Sequence, residues 1–350
     1  MFDKKSYDYD EVRKIQFSGK SSYTIALPKG WVQENNLRPG DRVRISRKSD
    51  ASLVIVPEWS SFNEDKSEVT IAISRKDTMG SIVRKIISMY LLGYKTIHVR
   101  EREGTMTSIQ RNIVKETVHK HLVGAEVIAD STEGITIQVL LGFPELSIEN
   151  ALRRMALIAT SMHKDAILAL KRFDVDTAKG VIETDDEVDR FGLYIIRHLK
   201  MAVQNDRILK EIGLKTPRDC LGYRLIVKSI ERIADHACKI AEAVLMIKQP
   251  LNELVLDKIE RLSGYALKVF EESLLALFKH DYEIADRVVE AAQSIVDMER
   301  EFLTMMEKSG FVELLQMVRL IVEGIKRTAE YASDIAEIVL NMTAEQVTLK

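Results

Sequence analysis

The sequence predicts a multidomain α+β protein with three parts: a small N-terminal β domain, a small α/β sandwich, and a C-terminal all-α domain of two three-helix bundles. Short β-branched runs separated by turn residues fill the first 57 residues. Strand-like and helix-like patterns then alternate up to residue 139, and no strand pattern follows residue 147. Beyond that point apolar residues recur with the helical period of 3.6. A chain of 350 residues is also long enough for two or three domains.

The first part consists of short strands joined by tight turns. Strands are predicted at 12–15, 23–27, 42–45 and 52–56, with a short helix from Pro28 to about Asn36. Pro39-Gly40 supplies a turn because proline presets φ and glycine permits positive φ. A segment this small buries little apolar surface on its own, so we expect an oligomeric or intertwined arrangement.

The second part has the order β-α-β-α-β-β. We expect strands at 69–73, 95–99, 126–129 and 135–139, and helices at 79–92 and 107–122 that are closed by Gly93 and Gly124. The simplest arrangement is an open sheet with both helices on one face. The predicted domain boundaries are 1–58, 66–142 and 146–350.

The third part contains an internal repeat. Residues 230–242 align without a gap with residues 325–337, and seven positions are identical. We call these segments the first and second repeats. Breaks near residues 173, 213–217, 248–250, 280 and 309 divide the region into about six helices, three for each bundle.

The composition excludes several classes of protein. No apolar run approaches the length of about 20 residues that crosses a bilayer, and no apolar signal segment is present, so we expect a cytoplasmic protein. Cys220 and Cys238 are too few for a disulfide framework. The chain lacks a nucleophile elbow, a phosphate-binding loop and a zinc-protease motif, and we therefore expect no enzyme.

Two pairs of acidic residues lie at helical spacing. Asp185 and Asp189 are four residues apart, and so are Glu231 and Asp235 on a later helix. Like charges at this spacing repel unless a cation lies between them. Oxygen-only ligands suit a hard cation such as Mg²⁺, Mn²⁺, Ca²⁺ or iron. Two alternatives stay open: a solvated acidic face, or ion pairs with Arg190, Arg232 and Lys239.

The N-terminal part is basic although the whole chain carries a net charge of −2. Residues 11–48 include nine lysines and arginines against three acidic residues, a local net charge of +6. Basic residues concentrated on a small β element neutralise phosphates and release counterions, which is the first requirement for DNA binding. A solvated basic surface is the alternative.

The pattern of residues 13–32, with Leu27-Pro28-Lys29 leading into a helix and Gly40-Asp41-Arg42-Val43 after it, resembles the AbrB/SpoVT family. Members of that family are swapped-hairpin DNA-binding domains. The resemblance implies an intertwined homodimer formed through the N-terminal domain. It also implies that DNA contacts Arg13, Lys14, Lys20 and Lys29.

The segment Glu231-Arg-Ile-Ala-Asp235-His236-Ala, and the chain from about residue 147 onward, resemble the PhoU family of phosphate-uptake regulators. This resemblance implies paired three-helix bundles that bind a divalent metal or an iron cluster through acidic motifs, here Asp185, Asp189, Glu231 and Asp235. The second repeat departs from the pattern because Lys326 and Tyr331 replace the first acid and the histidine. We therefore expect no full cluster there.

Together the two resemblances suggest a transcriptional regulator of phosphate uptake that binds DNA through its N-terminal domain and relays phosphate status through its helical domain. The alternative is an adaptor without DNA binding that docks on a phosphate transporter or its sensor. A weaker alternative is a metal-dependent hydrolase of phosphate compounds. The α/β segment at 66–142 matches neither family, and its role stays open.

Overall fold

The computed structural model describes residues 11–19, 22–47, 52–59, 68–140, 146–308 and 312–348. The chain divides into two compact units, Met1–Glu64 and Asp65–Lys350. The second unit contains both the α/β segment and the helical region. Each unit is described by itself below.

Two β-hairpins and one short helix form the first unit. The elements are β1 (Gln16–Ser18), β2 (Ser22–Thr24), α1 (Lys29–Glu34), β3 (Val43–Arg47) and β4 (Leu53–Pro57). Strand β1 pairs antiparallel with β2, with Phe17 opposite Tyr23, and β3 pairs antiparallel with β4. Helix α1 is followed by Asn36 in the left-handed conformation, at φ 52°. The predicted small β region is confirmed.

The first strand begins later than predicted. Residues 12–15 are not a strand, because β1 starts at Gln16 and its pairing with β2 ends at Thr24. A strand is stable only where a neighbour satisfies its backbone groups, and within one chain the partner strand stops there. Apolar side chains of this unit stay in solvent: Tyr23 is 75% and Ile45 59% exposed.

The α/β segment has the predicted element order. It comprises β5 (Glu68–Ile73), α2 (Met79–Leu91), β6 (Thr96–Glu101), α3 (Ser108–His121), β7 (Ala125–Asp130) and β8 (Gly134–Val139). The sheet order is β5-β6-β8-β7, in which β5 and β6 are parallel and the other pairs antiparallel. Strand residues such as Ile73 and Ile137 share one core with Ile86 of α2 and Val118 of α3, so both helices cover one face.

Long helices form the remainder of the second unit. They are α4 (Ile148–Arg172), α5 (Val175–Gln204), α7 (Asp219–Met246), α8 (Glu253–Lys279), α9 (Tyr282–Lys308) and α10 (Val312–Thr343), with a short α6 (Asp206–Glu211) and a 3₁₀ turn at Ala344–Val347. The six long helices confirm the expected two groups of three, because α4, α5 and α7 pack together, as do α8, α9 and α10.

The first hairpin of each bundle turns in the same way. Helix α4 is followed by the capping residue Phe173 and α8 by His280, both in the left-handed conformation with φ of 53° and 51°. An aspartate follows in each case. Asp174 accepts hydrogen bonds from backbone N–H groups at the start of α5, and Asp281 accepts one from Ile284 in α9. The duplication therefore extends to the turns.

One apolar core runs through both bundles, and the repeated helices α7 and α10 meet within it. Ile230, Ile233 and Ile240 of α7 are fully buried. Gly324 lets α10 approach α7 closely, because a Cβ atom there would lie 3.0 Å from Ile240 and 3.4 Å from the carbonyl oxygen of His236. Within the described ranges, no helix is long and apolar enough to cross a membrane.

Candidate functional site

The four predicted acidic residues face one another across the contact between α5 and α7. Asp185 and Asp189 lie on α5, and Glu231 and Asp235 lie on the first repeat in α7. The apolar side of α7 enters the core, so Glu231 and Asp235 point away from it and remain half-buried. We call Asp185, Asp189, Glu231 and Asp235 the acidic cluster.

Burial and mutual repulsion raise the pKa values of three residues of the cluster, namely Asp185, Asp189 and Asp235. Burial, followed by the negative charge of Asp235, raises the pKa of Asp185 to about 6. Burial, followed by the charge of Glu231, raises the pKa of Asp189 to about 7. The same two causes raise the pKa of Asp235. Carboxylates held this close prefer a proton or another cation between them.

Lys228 forms an ion pair with the cluster, through Glu231 one turn away on α7. Sequence reasoning named Arg190, Arg232 and Lys239 as candidate partners and missed this lysine, although its i, i+3 spacing could have indicated it. Arg232 forms no such ion pair in the described part of the chain, and its guanidinium lies over the ring of Tyr331. The thiol of Cys238 also contacts the carboxyl group of Asp185, and this contact partly offsets the rise in the pKa of Asp185.

In the described part of the chain one lysine forms an ion pair with the acidic cluster, and Lys239 and Arg232 act on Asp235 only at longer range. The donors of the cluster are all oxygens, the set that hard cations prefer, and burial together with the neighbouring acids raises the pKa values of Asp185 and Asp189 to about 6 and about 7. The donor chemistry therefore fits a divalent cation or iron. As the side chains are placed, however, no three His, Cys, Asp or Glu residues in the described part of the chain form a group that could hold a metal ion. Binding would require these carboxylates to reorient.

In the second repeat, a lysine lies between the acidic residues. Lys326 aligns with Glu231, and Glu323 aligns with Lys228, so the i, i+3 ion pair is retained with its charges reversed. The ammonium group of Lys326 lies 2.7 Å from Glu323 and 3.1 Å from Glu299 of α9. The charges at this position are already balanced. The repeat is thus asymmetric in charge although its helices pack alike.

The basic residues predicted to bind DNA lie on the first unit. Arg13 and Lys14 are exposed and precede β1, and Arg13 is paired with Glu11. Lys29 is exposed at the first position of α1. Lys20 lies outside the described residues. The tight turn at 38–41 is held by a 2.6 Å hydrogen bond that the backbone N–H of Arg38 donates to Asp41.

Two family models match the chain. The PhoU domain model matches residues 152–244 and 259–339, which are the two bundles. The model described as "Antidote-toxin recognition MazE, bacterial antitoxin" matches residues 16–60, the region that resembles AbrB/SpoVT domains.

Curated relatives are similar to the helical region. The chain is 23% identical over 200 residues to the phosphate-specific transport system accessory protein PhoU homolog 1 of Thermotoga maritima, covering 55% of this chain and 84% of that protein. The PhoU homolog of Aquifex aeolicus is 26% identical over 167 residues, covering 45% and 70%.

Among solved structures, PhoU from Streptococcus pneumoniae aligns with a TM-score of 0.49 and 20% identity, over 58% of this chain and 96% of that one. The PhoU family model and the curated relatives give the same assignment for the helical region. The C-terminal part of this chain is a PhoU domain pair, and a MazE/AbrB-like segment precedes it.

Proposed function

We propose that this protein is a DNA-binding regulator of phosphate uptake. The observation that carries the proposal is the presence, in one chain, of a basic MazE/AbrB-like segment and a PhoU domain pair. The curated relatives of the helical part are named as accessory proteins of phosphate-specific transport. The basic segment supplies an output that a helical bundle alone lacks, namely binding to DNA phosphates.

The exposed apolar surface of the first unit supports a homodimer. Phe17, Tyr23, Ile25, Ile45 and Leu53 are each more than half exposed, and none of the residues of α1 is buried. Two-stranded hairpins are marginal in water, so this unit needs a partner to cover its apolar residues. A second copy, intertwined through the hairpins, would cover them and would place two basic surfaces side by side.

The acidic cluster is proposed as a metal site that belongs to the same function. Asp185, Asp189, Glu231 and Asp235 would supply the oxygen ligands, and a bound divalent ion would neutralise the negative charge that these four residues bring together. The cluster lies between α5 and α7, so a bound ion would fix the spacing of those two helices. We propose no reaction at this site.

The direct test of DNA binding is a gel-shift titration of the full chain on the promoter of a phosphate-transport operon. We expect weaker DNA binding in four variants, Arg13→Ala, Lys14→Ala, Lys20→Ala and Lys29→Ala. Each lost phosphate contact should reduce the slope of log K against log salt concentration by about 1. Lys76→Ala is the matched control, because Lys76 is exposed on the other unit. Equal binding by all variants would refute these residues as the DNA contacts.

The alternative is an adaptor that docks on a phosphate transporter or its sensor, with the first unit serving only to dimerise. The names of the curated relatives, all accessory proteins of phosphate-specific transport, favour it. Recovery of transporter subunits in a pull-down, together with no promoter enrichment in chromatin immunoprecipitation, would support the adaptor over the DNA-binding regulator.

A further inference from the structure

A cleft of about 720 Å³ lies between the two repeated helices, α7 and α10. Its lining contains none of the four residues of the acidic cluster, because it uses the neighbouring face of α7, although the charges of Lys239 and Arg232 still partly offset the rise in the pKa of Asp235. Gly324 brings the helices together beside it. The volume is within the range of sites that hold small organic ligands, about 300–1,000 Å³.

The cleft has a cationic side. Arg232 and Lys239 of α7 and Arg327 of α10 line it. Arg327 is committed to Glu323 and Glu330, at 2.9 and 2.8 Å. By contrast, neither Arg232 nor Lys239 has an ion-pair partner among the residues that the structure describes, although Arg232 does stack on an aromatic ring. Glu242 also lines the cleft, but no ion pair joins it to either cation in the described part of the chain. Arg232 and Lys239 are therefore available to an anionic ligand.

An unpartnered polar atom lies in the same wall. The Nδ1 atom of His236 is buried and has no hydrogen-bond partner in the described part of the chain. The ring of His236 lies 5.7 Å from that of Tyr331, and the guanidinium of Arg232 lies 5.5 Å from the Tyr331 ring. A buried polar atom without a partner costs free energy, so the protein alone does not satisfy the polar groups of this residue of the cleft wall.

The opposite end of the cleft is apolar. Ala243 and Met246 of α7 and Leu320 of α10 form it. Met246 is 61% and Leu320 56% exposed, so apolar surface is open to solvent next to the cations. Inorganic phosphate alone would leave this end uncovered. A ligand that carries both an anionic group and an apolar or planar part would fill the whole cleft.

We propose that the cleft between α7 and α10 binds a phosphorylated organic compound of about nucleotide size. Its phosphate group would lie against Arg232 and Lys239, since a dianion suits two cations and arginine pairs with phosphate through two parallel hydrogen bonds. Its organic part would cover Met246 and Leu320. This site does not depend on DNA binding by the first unit.

The test is calorimetric titration of the full chain with AMP, adenosine and inorganic phosphate. EDTA is present throughout, so that no metal at the acidic cluster can bind phosphate. AMP is expected to bind at least about tenfold more tightly than either adenosine or phosphate. Arg232→Gln and Lys239→Gln should each weaken AMP about tenfold or more, the value of one charge-assisted hydrogen bond. Leu320→Trp, which fills the apolar end, should weaken AMP but not phosphate.

Lys268→Gln is the matched control, because Lys268 is an exposed lysine on α8, away from the cleft, and it should bind AMP as the wild type does. Far-ultraviolet circular dichroism confirms that each variant is folded. Absence of AMP binding would overturn the proposal, and so would AMP binding that Arg232→Gln and Lys239→Gln leave unchanged. Inorganic phosphate that binds as tightly as AMP would overturn the inference that the ligand has an organic part.

Discussion

The ammonium group of Lys326 lies 3.1 Å from the carboxylate of Glu299, at the position where the first repeat has Glu231. Both side chains are largely buried, with 18% and 15% of their surfaces exposed. The second repeat therefore contains a fixed cation where the first repeat contains an acid facing other acids. The two halves share a fold and differ in what they can bind.

Lys326→Met should destabilise the protein by about 1–2 kcal/mol, because it leaves Glu299 partly buried without its cation. The free energy of unfolding in urea measures the effect. Lys268→Met, which removes an exposed lysine 3.8 Å from Glu272, is the control and should cost less than about 0.5 kcal/mol. Equal losses in the two variants would contradict a structural role for the Lys326–Glu299 pair.

The acidic cluster should bind metal in the purified protein. Elemental analysis is expected to find iron or another divalent metal in the wild type, and to find it reduced in Asp189→Asn and Asp235→Asn, because each change removes an anionic oxygen ligand. Asp297→Asn on α9 is the control in the second bundle and should keep the metal. Wild-type protein that contains no metal and gains no thermal stability from added Mn²⁺ or Fe²⁺ would refute the site.

A buried histidine should make the protein less stable in acid. His163 lies in the core between α4, α8 and α10, where Nε2 is 2.9 Å from the hydroxyl of Ser263 and Nδ1 is 3.2 Å from that of Thr328. Burial, followed by the charge of Lys164, lowers its pKa to about 4. Between pH 6.5 and 4 His163 is protonated in the unfolded chain but neutral in the folded chain. The free energy of unfolding therefore falls as the pH falls through this range.

The size of this loss is about 3 kcal/mol at pH 4 relative to pH 7. His163→Gln can still hydrogen-bond Ser263 but does not titrate, so its stability should fall less over the same pH range. Asp185, Asp189 and Asp235 act in the opposite sense, since their raised pKa values favour the folded state at low pH. The readable quantity is therefore the difference between wild type and variant in urea unfolding at each pH. A constant difference would contradict the prediction.

Arg197 should hold the α/β segment on the helical bundle. It is a buried residue of α5 that donates hydrogen bonds to the carbonyl oxygens of Tyr90, Gly93 and Tyr94, where α2 ends. Arg197→Met would leave these carbonyls unsatisfied, so we expect a loss of about 2–4 kcal/mol and faster amide exchange in α2. Arg287→Met, at an exposed position of α9, is the control. Unchanged exchange in α2 would show that Arg197 does not anchor it.

The first unit should dimerise through its apolar surface. Tyr23→Ser and Ile45→Ser are expected to weaken dimerisation by at least about tenfold each, because each removes a large apolar side chain from the surface that a second copy would cover. Sedimentation equilibrium gives the dissociation constant. Leu157→Ser is the control, since Leu157 is 70% exposed on α4 of the other unit. A wild-type protein that sediments as a monomer would contradict the dimer.

Most element boundaries could be predicted because they depend on local signals. The α/β strands and helices begin and end within about two residues of the expected positions, and Gly93 and Gly124 have the positive φ that a closing glycine adopts. The strand predicted at 12–15 was wrong, because pairing depends on a partner strand and not on β-branched residues alone.

The sequence by itself determined the order of elements, the duplicated bundles, the basic N-terminal part and the carboxylates at helical spacing, since each follows from residue type and period along the chain. Only the tertiary structure decided what those residues meet. It places Asp189 near Glu231, and it pairs Glu231 with Lys228 and not with Arg232. It also places Arg232 and His236 in the lining of a cleft that contains Tyr331. A helix period fixes which face a residue occupies. The packing of α5 and α10 on either side of α7 fixes its neighbours, and charge and burial act through neighbours.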